Sequence, residues 1–135
     1  MPANVTYRDL LEGFRAVGLQ AGDIVCVHSS RSSFGRVVDG APAVVQALLD
    51  CVGPTGTLMV PTFSDYFTPE SPRVYDRENT RSRMGVISET VRTWPGAVRS
   101  DHPSHPFAAI GPAASDLFPP DQQTAWGPDS PLKQL

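Results

Sequence analysis

The sequence has no run of basic residues, no long apolar stretch and little cysteine, and each absence removes a class of protein. Its 11 Lys and Arg are outweighed by 14 Asp and Glu, for a net charge of −3. No basic track exists for a phosphate backbone, so no nucleic-acid partner is expected. No apolar segment approaches the roughly 18–20 residues of a membrane span, so no membrane partner is expected either. Met1 to Thr6 have neither the basic region nor the apolar core of a signal peptide. The two cysteines, Cys26 and Cys51, lie in apolar segments without metal-ligand spacing, which reads as buried, reduced thiols in a cytoplasmic chain. There is no Walker lysine, no G-x-G-x-x-G and no G-x-S-x-G, so the standard nucleotide loops and the hydrolase nucleophile elbow do not apply. At 40% apolar and 19% charged residues, the chain is neither a disordered tail nor a coiled coil.

Proline is abundant, 14 in 135 residues, and implies many enforced turns and long ordered loops. The length allows one domain with a single modest core. Thr6 is a plausible N-cap with Asp9 three residues on, close to a capping box. Leu10, Leu11, Phe14 and Val17 then form a helical stripe that Gly18 can stop. Asp23 to His28 is a short, β-branched run suited to a strand buried on both faces. After a loop from Ser29 to Gly40, Pro42 fits a first helical turn, and Val44, Val45, Leu48, Leu49 and Val52 repeat on one helix face. Gly53-Pro54 ends that helix, and Gly56 to Val60 reads as a second buried strand terminating at Pro61. The strand–helix–strand succession predicts a parallel pair, and the fold class is α/β. Thr62 to Arg83 has no periodicity and reads as an ordered substrate loop. Met84, Ile87, Val91 and Trp94 mark a helix, 97–99 and 107–110 are weak strands, and Pro112 to Leu117 is a short helix.

Three segments could carry chemistry. The loop His28-Ser29-Ser30-Arg31-Ser32-Ser33-Phe34-Gly35 follows a strand, where α/β sheets gather ligands, and its small residues can aim N–H groups and hydroxyls at an anion. Arg31 or Arg36 could pair with phosphate. In Asp101-His102-Pro103-Ser104-His105-Pro106, a histidine could act as acid, base or donor, or simply buttress the loop. Zinc would need a further ligand pair that is absent; His28 is the one other histidine. At the end of the second strand, Thr62, Phe63, Ser64, Asp65 and Tyr66 combine hydroxyls, a carboxylate and two aromatics. The loop beyond them is acidic and would suit a cationic substrate. A serine–histidine–acid nucleophile from Ser29 or Ser30 with His102 and Asp101 lacks its usual elbow.

Seven blocks together resemble the aminoglycoside 3-N-acetyltransferase family of antibiotic acetyltransferases. They are 27–30, 34–37, 53–63 (GPTGTLMVPTF), 83–89, 99–105, 107–111 and 126–132 (WGPDSPL), in family order over almost the whole chain. The resemblance implies a three-layer α/β/α fold and transfer of acetyl from acetyl-coenzyme A to the 3-amino group of a deoxystreptamine aminoglycoside. By likeness, His28, Ser29, Ser30, Arg31, Ser33, Phe34 and Gly35 would hold the coenzyme's pyrophosphate and pantetheine arm, with Phe63, Arg83, Met84 and Gly85 on the same side. Thr62 would lie near the thioester. His102 and His105 would shape the acceptor side, with Asp65 and Tyr66 near the cationic sugar. No covalent acyl-enzyme and no metal is implied. Family members are about twice this length, and the histidine–glutamate pair resembling their base system lies in the half beyond. Residues 1–135 would therefore be the N-terminal part of a single domain, apparently incomplete, whose open sheet edge calls for self-association or a complementing C-terminal half.

Overall fold

The computed structural model describes residues 3–65, 68–70, 73–120, 122 and 124–135. A capping box opens helix α1 (Tyr7–Ala16): the Asp9 amide donates to the Thr6 hydroxyl, and the Asp9 carboxylate accepts from the Thr6 amide. Such reciprocal bonds satisfy two N–H groups that the first helical turn leaves unpaired. The helix ends one residue early for the expected stripe. Val17 caps it and is 79% exposed, so Leu10 and the half-buried Leu11 and Phe14 carry the packing.

Strand β1 (Asn4–Val5) pairs in parallel with β3 (Arg36–Val37) in a two-stranded ribbon. The main sheet contains β2 (Ile24–Cys26), β4 (Thr57–Pro61), β5 (Val98–Arg99) and β6 (Phe107–Ile110), in the order β2-β4-β6-β5. β2 and β4 are parallel across helix α2 (Gly40–Val52), as the strand–helix–strand pattern predicts. β4 and β6 are antiparallel, as are β6 and β5. All five residues of β4 are buried, because it has neighbours on both edges and helices on both faces.

The pleat sorts β4 and β6 by parity. Leu58, Val60 and Ala108 face Val44, Val45 and Leu48 of α2 and Ile87 and Val91 of α3 (Val86–Arg92). Met59, Phe107 and Ala109 face Ala114 and Leu117 of α4 (Ala114–Leu117), with Leu132 of α5 (Pro131–Gln134) alongside. Two apolar layers around one sheet give the expected α/β/α sandwich, each buried Val, Leu or Ile contributing about 1.5–3 kcal/mol.

The first strand is not buried on both faces. Ile24 is 45% exposed, and Val25 and Cys26 are half-buried. Its apolar run reads as a central strand, but among the described residues β2 pairs in the main sheet with β4 alone, so it stands at an edge. Cys26 is correspondingly half-buried, Cys51 is buried, and both are free thiols. No helix among the described residues is long and apolar enough to cross a membrane.

Candidate active site

The β4–β6 ladder runs past the ends of the two strands. The Thr62 amide donates to Pro106 O at 2.9 Å and the Ser64 amide to Ser104 O at 3.1 Å, while the Ser64 hydroxyl donates to Pro103 O. This extension pins the turn 102–105 against Phe63. The Phe63 ring lies 4.8 Å from His105, 5.4 Å from Phe107 and 5.8 Å from Trp126, and His105 lies 5.4 Å from Trp126, all edge-on. Such edge-to-face packing fixes the His105 ring with no hydrogen bond to the indole.

Thr62 is fully buried and already committed. Its hydroxyl donates to Pro106 O at 3.0 Å and accepts from Arg99 Nε at 3.0 Å. Arg99 Nη2 donates to Thr62 O at 2.8 Å, and its Nη1 reaches Thr80 O and, at 3.3 Å, Arg77 O. The guanidinium also lies 5.3 Å from the Tyr75 ring centre, and the Tyr75 hydroxyl donates to Ser100 O at 2.7 Å. Burial lowers the Arg99 pKa and pushes Tyr75 up to about 12, Arg99 opposing the latter. Thr62, expected near the reacting atoms, is thus one side of a clamp between the strand end and the loop 75–80. Arg99 and Tyr75 are the members that the residue pattern did not single out, because nothing local marks an arginine in a weak strand as buried.

A cleft of about 480 Å³ opens beside this clamp, lined by Phe63, Ser64, Asp65, Thr68, Arg83, Met84, Ser104 and His105. Its far wall is held by main-chain and carboxylate contacts: the Arg83 amide donates to Phe63 O at 2.7 Å, and the Ser82 amide to Glu89 at 2.6 Å. Burial pushes Glu89 up, but the paired bonds from Arg92 at 2.7 and 2.8 Å and the Ser82 amide outweigh it, and the carboxyl titrates below its usual range. The cleft therefore unites five expected residues, Phe63, Asp65, Arg83, Met84 and His105, from segments far apart in sequence. Gly85 immediately precedes α3. Tyr66 lies outside the described residues, as does the side chain of Arg31.

His102 sits behind His105. The His105 amide donates to His102 Nδ1 at 3.1 Å, and Ser104 Oγ lies 2.7 Å from His105 Nδ1 and 3.4 Å from His102 Nδ1. Burial first, then the neighbouring His105, lowers the His102 pKa, with Asp129 opposing. With Nδ1 spent on a main-chain amide, His102 buttresses the turn, one of the two roles open to it on sequence.

Among the described residues, none of the loop 28–35 lines this cleft. Residues 31–34 form a single 3-10 turn, ended by Gly35 at φ 73 and ψ −145, which a side chain would strain. Phe34 packs edge-on against Phe14 at 6.4 Å, and the Ser30 and Ser32 hydroxyls lie 2.9 Å apart. His28 Nε2 lies 3.8 Å from Cys26 Sγ, whose thiol burial pushes up to about 11, so at neutral pH it is no thiolate nucleophile. No group of three His, Cys, Asp or Glu suited to a metal ion occurs among the described residues.

The cleft lies at the end of the central strand of an α/β/α sandwich, where such folds gather small-molecule ligands, with a histidine, a carboxylate and an arginine on its walls. Residues 26–135 match the sequence model of the family described as aminoglycoside 3-N-acetyltransferase, and the chain belongs to that family. It is 37% identical over 141 residues to aminoglycoside N(3)-acetyltransferase IX of Micromonospora chalcea, covering 88% of this chain and 49% of the relative. With enzyme VIII of Streptomyces fradiae it shares 38% over 154 residues, 97% of this chain and 52% of the relative. Among solved structures, AAC-VIa bound to sisomicin superposes with a TM-score of 0.86 at 31% identity, covering 98% of this chain and 56% of that one. AAC-IIIb in binary complex with CoASH gives 0.83 at 31% identity, covering 96% and 55%. The chain spans about half the length of the curated relatives it matches.

Proposed function

We propose that residues 1–135 are the N-terminal part of a single cytoplasmic acetyltransferase domain. Its reaction is transfer of acetyl from acetyl-coenzyme A to the 3-amino group of a deoxystreptamine aminoglycoside, which confers antibiotic resistance. The observation that carries this reading is the meeting of Phe63, Asp65, Arg83, Met84 and His105 in one cleft of a chain in this family. The CoASH complex of AAC-IIIb supports the donor, and the sisomicin complex of AAC-VIa supports the acceptor.

Arg83 is exposed at the rim and supplies a cation for a phosphate or carbonyl oxygen, with Met84 and Gly85 on the same side. The hydroxyls of Ser29, Ser30 and Ser33 and the N–H groups of the turn ending at Phe34 and Gly35 take the anionic arm of the coenzyme, with His28 beside them. Asp65 faces the ammonium groups of the sugar. The reacting amine must be neutral to attack. Its lone pair forms the N–C bond, the C–S bond breaks, the nitrogen's proton passes to a base of the complementing half or to water, and the thiolate leaves to be protonated as free thiol, with His105 shaping the acceptor side. Thr62 and His102 act through the framework, as clamp and buttress. A complementing second half covers the open edge at β2, where Ile24 is exposed.

Calorimetric titration with acetyl-coenzyme A, followed by thiol release with a panel of aminoglycosides, tests the reading. Binding with turnover is the expected result. Binding without turnover assigns the acceptor chemistry to the complementing half, and sedimentation then separates self-association from a missing partner. No binding of the coenzyme overturns the proposal.

A further inference from the structure

Trp126 is the most exposed aromatic side chain among the described residues, at 56%, yet it stands on a tightly held turn. The Gly127 amide donates to Thr124 Oγ1 at 2.9 Å, and the Thr124 hydroxyl donates in turn to the Asp129 carboxylate. The Ser130 amide donates to Gly127 O at 3.0 Å, and Gln122 Nε2 to Thr124 O at 2.9 Å. Gly127 packs so closely on the Thr124 side chain that a Cβ has no room there. An indole more than half open to water on such a turn is preorganised surface that its own chain leaves uncovered.

Its place decides what can cover it. The ring lies 5.8 Å from that of Phe63 and 5.4 Å from that of His105, and both of those residues line the cleft. Trp126 therefore stands at the rim, on the side of the histidine turn. The charges of the cleft are divided. Arg83 on the far wall attracts an anion and repels a cation, while Asp65 carries the one carboxylate among the described lining residues. Asp129 is near enough to His102 to favour its charged form, which adds negative charge behind the turn. A cation is drawn to the face of an aromatic ring, and to an indole most of all.

We infer that Trp126 is a specificity-determining residue, the platform against which an ammonium-bearing ring of the acceptor packs. That this acceptor is an aminoglycoside rests on the acetyl-transfer reading; the preference for a cation at this rim does not. The indole supplies attraction to the ammonium groups and apolar contact to the C–H face of the sugar. A neutral sugar gains only the second.

Trp94 is the one other tryptophan, so Trp94→Phe leaves Trp126 as sole reporter for a titration with sisomicin. The expected result is a saturable change in Trp126 emission. Incorporating monofluorinated and then difluorinated tryptophan drains charge from the indole face with little change of shape. Sisomicin affinity should fall at each step, by roughly three- to tenfold over the series. Trp126→Phe should keep most of the affinity, and Trp126→Leu should lose as much as the difluorinated protein. In the thiol-release assay Trp126→Leu should raise KM for sisomicin by the same factor, with kcat and the KM for acetyl-coenzyme A unchanged. If Trp94→Phe does not fold, the 15N-labelled unaltered chain shows both indole N–H signals, and Trp126→Phe assigns the one to follow. A Trp126 signal that sisomicin leaves unmoved, equal affinity across the fluorinated series, or a response to acetyl-coenzyme A alone overturns the inference. The same sample separates the two proposals. A sisomicin response without coenzyme binding sinks the acetyl-transfer reading alone, and coenzyme binding with Trp126 silent to sisomicin sinks this inference alone.

Discussion

Arg99→Met removes the guanidinium that fastens the loop 75–80 to the end of β4, and its cost can be worked from the four oxygens released. Thr62 O is the most expensive. It belongs to a fully buried residue, and water cannot replace the 2.8 Å bond. An acceptor left unpaired in the interior costs about 1–3 kcal/mol. Thr62 Oγ1 loses a donor but keeps its own bond to Pro106 O, so its share is smaller. Thr80 O lies on a half-buried residue and Arg77 O on an exposed one, where water substitutes at little cost. Methionine keeps most of the apolar stem and relieves the burial of a charge, which offsets part of the loss. The balance is a destabilisation of roughly 2–4 kcal/mol. Arg99→Lys keeps a charge with fewer donors and should lose about half of that. Urea unfolding followed by circular dichroism measures both; with a slope of about 2 kcal/mol per molar, the methionine midpoint falls by roughly 1–2 M. A methionine variant within about 0.5 kcal/mol of the unaltered chain would refute the clamp.

The folded-state His102 pKa is lowered, so the unfolded chain takes up a proton there that the folded chain refuses. Stability from this site is full above the ordinary histidine value and is lost as pH falls through it toward the lower folded value; urea midpoints at about pH 7.5 and about pH 5.5 should differ, and His102→Asn, which keeps an acceptor near Nδ1, should shrink the difference. An identical difference in the variant removes His102 from the account. Gly111, at φ +137, ends β6 where an added Cβ would lie 2.4 Å from Gly56 O and 2.7 Å from Thr57 Cα, both main chain. Gly111→Ala should force β4 and β6 apart at a cost of about 3 kcal/mol or more, and a thermal midpoint within a degree or two of the unaltered chain contradicts this packing.

What the residues reveal on their own is what is local or repeated. The capping box lies within four residues, α2 repeats its apolar side chains over three turns, and the run around β4 is apolar on both faces, so each is legible. β2 reads the same way as β4 yet stands at an edge, because burial is decided by neighbours and not by the strand itself. Thr62 looks like a free hydroxyl at a strand end, and only the antiparallel return of β6 turns it toward Arg99 and Pro106. The family blocks contain Arg99, Ser104 and Trp126, but nothing in their spacing says that the first is buried, that the second lies between two imidazoles, or that the third meets Phe63. The histidines and Asp65 are legible as chemistry and Arg83 only through the family likeness, and their convergence is not legible, since it depends on the strand order.

The bonds that build the cleft wall join residues 37, 39 and 44 apart along the chain, against three for the cap of α1. Loop closure makes such distant contacts the slow ones. During folding, α1 and the β2–α2–β4 unit can assemble from near neighbours while β4 still lacks its second partner. The recess between Phe63 and Arg83 has no walls until β6 docks and brings the histidine turn with it. Contact order thus predicts that this recess takes shape late in folding, after the local elements have formed.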